Sequence, residues 1–134
     1  MGSIYARGSG AGGSSPVFSA NCDSSVNLKD WVYILASGTN TVGKAIANDS
    51  EKVEVVGMVI SKPTETSCIV QQGGIYSKHA SLIKNKKIYL SDSSEGEIVY
   101  TPPTSSGSYI KNLGNTISET ILSINIDQLS ILNS

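Results

Sequence analysis

The chain has 134 residues, the length of about one domain, and only 16% of them are charged, where about a quarter is usual in soluble proteins. Ten basic and eleven acidic residues leave a net charge of −1, which argues against nucleic-acid binding driven by counterion release. No apolar run approaches the roughly 20 residues of a membrane-spanning helix. The first residues also fit neither a secretory signal nor a lipid-anchor motif, so we expect no membrane partner.

Few side chains are suited to catalysis or to metal binding. The chain has one histidine, His79, and two cysteines, Cys22 and Cys68, and none of them lies in a catalytic or zinc-binding motif. We expect His79 to be exposed or lightly packed. For the two cysteines we expect reduced, buried thiols, with a disulfide as the alternative. The composition therefore predicts a protein that is not an enzyme and holds no metal or cofactor.

Residues 1–15 are dominated by glycine and serine and predict a flexible N-terminal arm, followed by a single β domain over residues 16–134. Such a segment buries too little surface to offset its ordering entropy. Two interpretations are open, a frayed terminus or an arm that becomes ordered against a neighbouring subunit. Ile4, Tyr5 and Arg7 favour the second, because simple linkers rarely carry an apolar and aromatic pair.

Short runs rich in Val, Ile and Tyr follow from residue 16 onward and are typical of half-buried β-strands joined by turns. Strands are predicted at residues 16–20, 30–35, 42–46, 52–60, 66–71, 87–91, 97–101, 108–117 and 120–126. Turns are predicted between them, including residues 62–64 and the Gly-Gly pair at 73–74. Residues 127–133 fit either one helical turn or a last strand.

Three blocks of the chain recur at a nearly constant interval, which indicates an internal pseudo-repeat. The block DWVYIL at 30–35 resembles KKIYLS at 86–91, and VVGMVIS at 55–61 resembles NLGNTIS at 112–118. A strand that begins at Thr66 resembles a strand that begins at Thr120. Two such units would bury their apolar faces by closing on each other. The predicted fold class is therefore all-β, a small barrel or sandwich of about 8–10 short antiparallel strands.

Gly57 and Gly114 occupy matching places inside two of these blocks. A glycine within a strand marks a bulge, a bend or a close approach of backbone. We expect a barrel corner at both places, and close approach to a ligand is the alternative.

The remaining polar clusters are expected to be solvated surface. Asp92, Glu95 and Glu97 surround Gly96 without the oxygen spacing of a calcium-binding loop. The lysines at 84, 86 and 87 fit an exposed strand edge. The aromatic residues lack the basic neighbours of a base-stacking platform and are expected in the core, at its rim or at an interface: Trp31, Tyr33, Tyr76, Tyr89, Tyr100 and Tyr109.

Six runs of the sequence together resemble the small β modules of tailed-bacteriophage virions. They are NCD at 21–23, WVYI at 31–34, VGMVISKPT at 56–64, CIV at 68–70, IYLSD at 88–92 and TPPT at 101–104. Modules of this kind occur in capsid decoration proteins, in head fibres and as repeats within tail fibres. The resemblance covers about residues 17–126 and implies a non-enzymatic virion protein, often trimeric, that is assembled in the host cytoplasm.

The function expected from this resemblance is decoration and stabilisation of the capsid, with the major capsid protein and other copies of the chain as partners. A ligand that binds only the assembled shell stabilises it by linkage. The residues expected to make intersubunit contacts are Ile4, Tyr5 and Arg7 in the arm and Leu129, Ile131 and Leu132 near the end of the chain.

Two other functions are open. The first is a tail-fibre or baseplate module for host-surface adhesion, which predicts exposed aromatic residues in one groove, with Trp31, Tyr100 or Tyr109 as candidates. The second is a small hydrolase, which the sequence disfavours because His79 has no evident catalytic partners.

Overall fold

Short strands form all of the regular structure in residues 16–35 and 40–134, which are the residues that the computed structural model describes. The all-β fold class is therefore confirmed. The strands are β1 (Val17–Asn21), β2 (Trp31–Ile34), β3 (Val42–Lys44), β4 (Val55–Thr64), β5 (Ser67–Gln71), β6 (Gly73–Tyr76), β7 (Lys87–Leu90), β8 (Ile98–Val99), β9 (Tyr109–Ile110), β10 (Asn112–Thr116), β11 (Leu122–Asn125) and β12 (Ile131–Leu132).

Ten of the strands form two antiparallel five-stranded sheets with the same internal order. The first sheet runs β1-β5-β4-β2-β3, and the second runs β6-β11-β10-β7-β8. If the five strands of each sheet are numbered by their order along the chain, both sheets have the spatial order first, fifth, fourth, second, third. The pseudo-repeat of the sequence is therefore a repeat of topology. The two remaining strands, β9 and β12, pair with each other.

The two repeats also share a β-bulge at the same place. Val32 pairs with Gly57 in the first sheet and Ile88 pairs with Gly114 in the second, and the register shifts next to each glycine. A Cβ at Gly57 would lie 2.4 Å from the carbonyl oxygen of Gln71, and one at Gly114 would lie 2.0 Å from that of Ser123. Each glycine thus allows close approach of the next strand. The expected barrel corner is wrong, because neither sheet closes into a barrel.

The main core lies between the two sheets, as in a sandwich. Its fully buried members include Trp31 and Met58 from the first sheet and Ile88, Leu113 and Leu122 from the second. A second, smaller cluster covers the other face of the first sheet. It consists of Ala20, Cys22, Val26, Val32, Val42, Val59, Cys68 and Val70. The first sheet is therefore apolar on both faces, which explains the unbroken apolar runs of β2 and β4.

The shared register shows how the two sheets stack. Val32 and Ile88 are equivalent, yet Val32 lies in the small outer cluster and Ile88 in the core between the sheets. The two sheets therefore stack in the same orientation, one behind the other. The face of the first sheet that packs on the core corresponds to the face of the second sheet that points away from it. This outward face positions the candidate site.

Two predicted turns are strand in the structure. The Gly-Gly pair at 73–74 opens β6, an edge strand paired only with β11, and the segment 62–64 belongs to β4. Pro63 is tolerated because β4 pairs only with β5 beyond Met58, and this ladder skips from Ser61 to Thr64. Of the two interpretations of 127–133, the last strand is right, as β12. Residues 108–117 form two strands, β9 and β10, where one was predicted. With β6 and β12 added, the nine predicted strands become twelve.

Candidate functional site

The end of the chain carries an exposed apolar ridge. Leu129, Ile131 and Leu132 are 80%, 62% and 55% exposed, and we call these three residues the C-terminal ridge. β12 holds two of them in place by pairing with β9, where Ile131 lies opposite Ile110. Between them, the Ser130 hydroxyl is buried and has no hydrogen-bond partner among the residues that the structure describes. Within the described part of the chain, the ridge therefore has both exposed apolar surface and one polar atom without a hydrogen bond.

The other residues predicted to make intersubunit contacts, Ile4, Tyr5 and Arg7, lie outside the described residues. The described chain begins at Pro16, whose carbonyl oxygen accepts a 2.9 Å hydrogen bond from the Gln72 amide. The arm therefore joins the folded body where β5 passes into β6.

A groove of about 770 Å³ lies on the outward face of the second sheet. Side chains of β7, β10 and β11 line it, and the segment from Asp127 to Ile131 lines it from the C-terminal side. The Asp127 amide donates a 3.0 Å hydrogen bond to the carbonyl oxygen of Asn112, which attaches this segment to β10. A groove of this size matches the range of about 300–1,000 Å³ that is usual for ligand sites.

Half of the ten side chains that line the groove are uncharged and polar. They include Asn112, Asn115, Asn125 and Gln128, with Tyr89 as the aromatic member. Asn115 donates one hydrogen bond, to the carbonyl oxygen of Thr116 at 3.3 Å. The side chains of Asn112, Asn125 and Gln128 form none within residues 16–35 and 40–134. Their amide groups are therefore available to a ligand.

Sequence reasoning did not identify this groove. Its signal is the alternation of polar and apolar residues in KIYL and LSIN, where the apolar members are buried and the other members share the opposite face. That pattern predicts a half-exposed sheet, but it does not show which segment lies beside it. Only the fold of residues 127–132 makes the face concave.

Lys111 occupies the seam between the two sheets. Its side chain is only 2% exposed and lies beside a second hollow of about 350 Å³, which is also lined by Glu54, Gln72 and Asp127. Burial lowers the pKa of Lys111, and the carboxylates of Glu54 and Asp127 oppose this by raising it. Asp127 and Gln128 line both this hollow and the groove, so the two are neighbours.

His79 lies in a third hollow of about 320 Å³, with Asp30, Trp31 and Glu97 among its lining residues. Burial lowers the pKa of His79 and is also the main cause that raises the pKa of Asp30. The Ala80 amide donates a 2.9 Å hydrogen bond to His79 Nδ1, so the free ring nitrogen is Nε2. Among the described residues that line this hollow, none carries a hydroxyl or thiol nucleophile.

The two cysteines are free and buried in the small outer cluster. Burial is the main cause that raises the pKa of Cys68 to about 12, and the neighbouring Cys22 thiol raises it further. Because both thiols are buried among apolar side chains, they pack as small apolar groups.

The remaining polar clusters form local contacts. The Ser108 hydroxyl donates to the Asp92 carboxylate at 2.7 Å, and Lys52 lies 4.0 Å from Glu95 in an exposed ion pair. The three lysines at 84, 86 and 87 are exposed. Trp31, a candidate for an exposed aromatic, is 1% exposed and belongs to the core.

Among the described residues, no group of three or more His, Cys, Asp or Glu side chains could hold a metal ion. The same part of the chain contains no helix long and apolar enough to cross a membrane. Comparison of the chain with protein-family models, with curated proteins and with solved structures finds no match.

Proposed function

We propose that this protein is a non-enzymatic structural component of a tailed-phage virion that decorates and stabilises the capsid. Copies of the chain associate with one another, as a homotrimer, and with the major capsid protein. The proposal combines the resemblance of the sequence to virion β modules with one observation on the structure, the exposed C-terminal ridge.

The ridge supports assembly because of its position and its composition. Three large apolar side chains, Leu129, Ile131 and Leu132, are more than half exposed within four residues. Exposed apolar side chains concentrated in one segment mark interaction sites in soluble proteins. Because successive strand residues point to opposite sides, Leu132 points away from Ile131, which lines the groove. The buried Ser130 hydroxyl in the same segment has no hydrogen-bond partner in residues 16–35 and 40–134, so a second copy of the chain could supply one. The ridge is therefore the surface through which we expect copies of the chain to meet.

A tail-fibre or baseplate adhesin is the alternative function, and the groove on the second sheet favours it. This groove contains Tyr89, whereas the candidates from sequence were Trp31, Tyr100 and Tyr109. Location in the particle separates the two functions. A capsid decoration protein occurs in many copies on the head, while an adhesin occurs in few copies at the tail.

The experiment measures binding of the full chain to emptied, tailless heads, together with its copy number in a particle reconstruction. We expect saturable binding at many sites per head, and Leu132→Asp to abolish it because a charge would be buried at the interface. Ile83→Asp is the matched control, since Ile83 is 51% exposed elsewhere on the surface. Copies found only at the tail, or full binding by Leu132→Asp, would contradict the proposal.

A further inference from the structure

The outward face of the second sheet is more polar than the equivalent face of the first sheet, which packs on the core. In the first sheet Trp31, Tyr33 and Met58 point into the core between the sheets. The register places Lys87, Tyr89 and Asn115 at the corresponding positions of the second sheet, where they line the groove. Two of the three apolar positions have thus become polar. In stacked repeats, a polar outer face marks the end of the stack. The groove is therefore not a packing surface for a third β unit.

The charge of the groove excludes a strongly charged ligand. Lys87 is the only cation and Asp127 the only anion among the described residues that line it, so their charges cancel. A polyanion such as a nucleic acid needs several cations, because its affinity comes from neutralised phosphates. A hard divalent cation needs several oxygen ligands with negative charge. The lining matches neither of these ligands.

The polar groups of the groove suit a ligand with many hydroxyl groups. Each carboxamide of Asn112, Asn125 and Gln128 offers both donors and an acceptor, and a sugar hydroxyl is likewise both donor and acceptor. Tyr89 adds an aromatic surface and Ile110 adds an apolar one. Leu129 and Ile131 also line the groove and form its border with the proposed contact between copies of the chain. A sugar ring has a matching division, with apolar C–H groups on its face and hydroxyl groups around its edge.

The groove is also built on rigid elements. Its sheet-borne side chains come from β7, β10 and β11, which are joined by antiparallel ladders, with one bulge at Gly114 between β7 and β10. Gly114, at the bulge, lines the groove with a φ of 140°, and no side chain projects into the groove at this point. Amide groups held by such a scaffold lose little conformational entropy on binding.

We propose that this groove binds an uncharged oligosaccharide. Amide groups of Asn112, Asn125 and Gln128 would bind its hydroxyls, and Tyr89 would stack on a sugar ring. This function goes beyond capsid decoration, because it gives the protein a ligand outside the particle. It also does not depend on where in the virion the protein lies.

The test uses the full chain and a printed array of neutral and acidic oligosaccharides, followed by titration calorimetry with each glycan that binds. We expect binding to neutral glycans, and Asn125→Ala and Tyr89→Ala each to weaken it about tenfold. Both side chains lie on the outward face and leave the core intact. Ser123→Ala is the matched control, because Ser123 also lies on β11 but does not line the groove. We expect its affinity to equal that of the original chain.

Three outcomes would overturn the proposal: no glycan on the array binds, only acidic glycans bind, or Asn125→Ala and Tyr89→Ala bind as well as Ser123→Ala does. Leu132→Asp separates this proposal from capsid decoration, since Leu132 lies outside the groove lining. That variant is expected to lose head binding and to keep glycan binding. Loss of glycan binding in this folded variant would count against an independent site.

Discussion

The two five-stranded sheets share one strand order and one bulge, but they differ in what covers their faces. The first sheet is covered on both sides, by the core and by the small outer cluster that contains Val26 and Cys68. The second sheet is covered on one side, and its other face carries the groove. The same architecture thus supports a purely structural unit and a unit with a free surface. The difference is made by the side chains of one face, without any change of topology.

The largest expected effect tests the bulge that the two sheets share. Gly114→Ala should cost more than about 3 kcal/mol of stability, because φ is 140° and the new Cβ would lie 2.0 Å from a backbone oxygen. Gly57→Ala should cost less, since its contact is 2.4 Å and no positive φ adds to it. Urea unfolding measures both variants.

Gly107→Ala provides the control for the bulge. Gly107 has a φ of 87°, and no atom lies within 4 Å of the position of an added Cβ. This variant therefore measures the cost of the backbone conformation alone, without a steric clash. We expect a cost of about 1–2 kcal/mol. If Gly114→Ala cost no more than Gly107→Ala, the close approach of β11 would be unimportant.

A smaller effect should distinguish the two equivalent faces. Met58→Ala removes a fully buried side chain from the core and should cost about 2–5 kcal/mol. Asn115→Ala changes the equivalent position of the second sheet, which is exposed, and should change stability by less than about 0.5 kcal/mol. Thermal and urea unfolding check both values. Similar costs for the two variants would show that the faces are not differently covered.

The seam between the sheets should show a pH-dependent effect of about 1 kcal/mol. Lys111→Met should stabilise the protein at neutral pH by roughly this amount, because it replaces a buried charge with an apolar side chain of similar volume. The pKa of Lys111 is lower in the folded chain than its usual 10.5, so the unfolded chain binds the proton more tightly.

Stability of the original chain should therefore rise as the pH increases through the folded pKa towards 10.5. Unfolding of both chains across the alkaline range measures this difference. The advantage of Lys111→Met is expected to shrink as the pH rises. An advantage that stayed constant would show that the ammonium is fully solvated.

The smallest effect concerns the cluster that covers only the first sheet. With the pKa of Cys68 raised to about 12 and both thiols buried, the folded chain should not react with a thiol-specific reagent at mildly alkaline pH. The unfolded chain should expose two reactive thiols. Absorbance or mass measurement counts the labelled cysteines. Rapid labelling of the folded chain would show that the small cluster opens readily.

Much of the strand arrangement was predictable because its signals are local. Alternating and β-branched runs located most strands. The matched glycines marked equivalent places in the two repeats, although the feature found there is a bulge and not the expected barrel corner. The prediction failed at β6, where a Gly-Gly pair has the composition of a turn but is paired along an edge by β11. It also failed for the barrel corner expected at Gly57 and Gly114, because closure of a barrel depends on pairing between distant strands, whereas the sandwich alternative fits the structure.

The candidate sites were less predictable than the strands. Leu129, Ile131 and Leu132 were expected to make contacts and prove to be exposed, while their role in assembly stays a prediction. The groove was missed because its members lie on β7, β10, β11 and the last residues of the chain. No single window of sequence contains them.

By itself, the sequence determined the all-β class and the internal repeat, with two glycines at matching places, because period and β propensity depend on neighbouring residues. Only the tertiary structure decided that the sheets stack in one orientation, that Lys111 is buried at their seam and that Asn112 and Asn125 share a groove. These features depend on contacts between residues far apart in the chain. Stacking decides which of two similar faces is buried, and the periodicity of a strand is the same in either case.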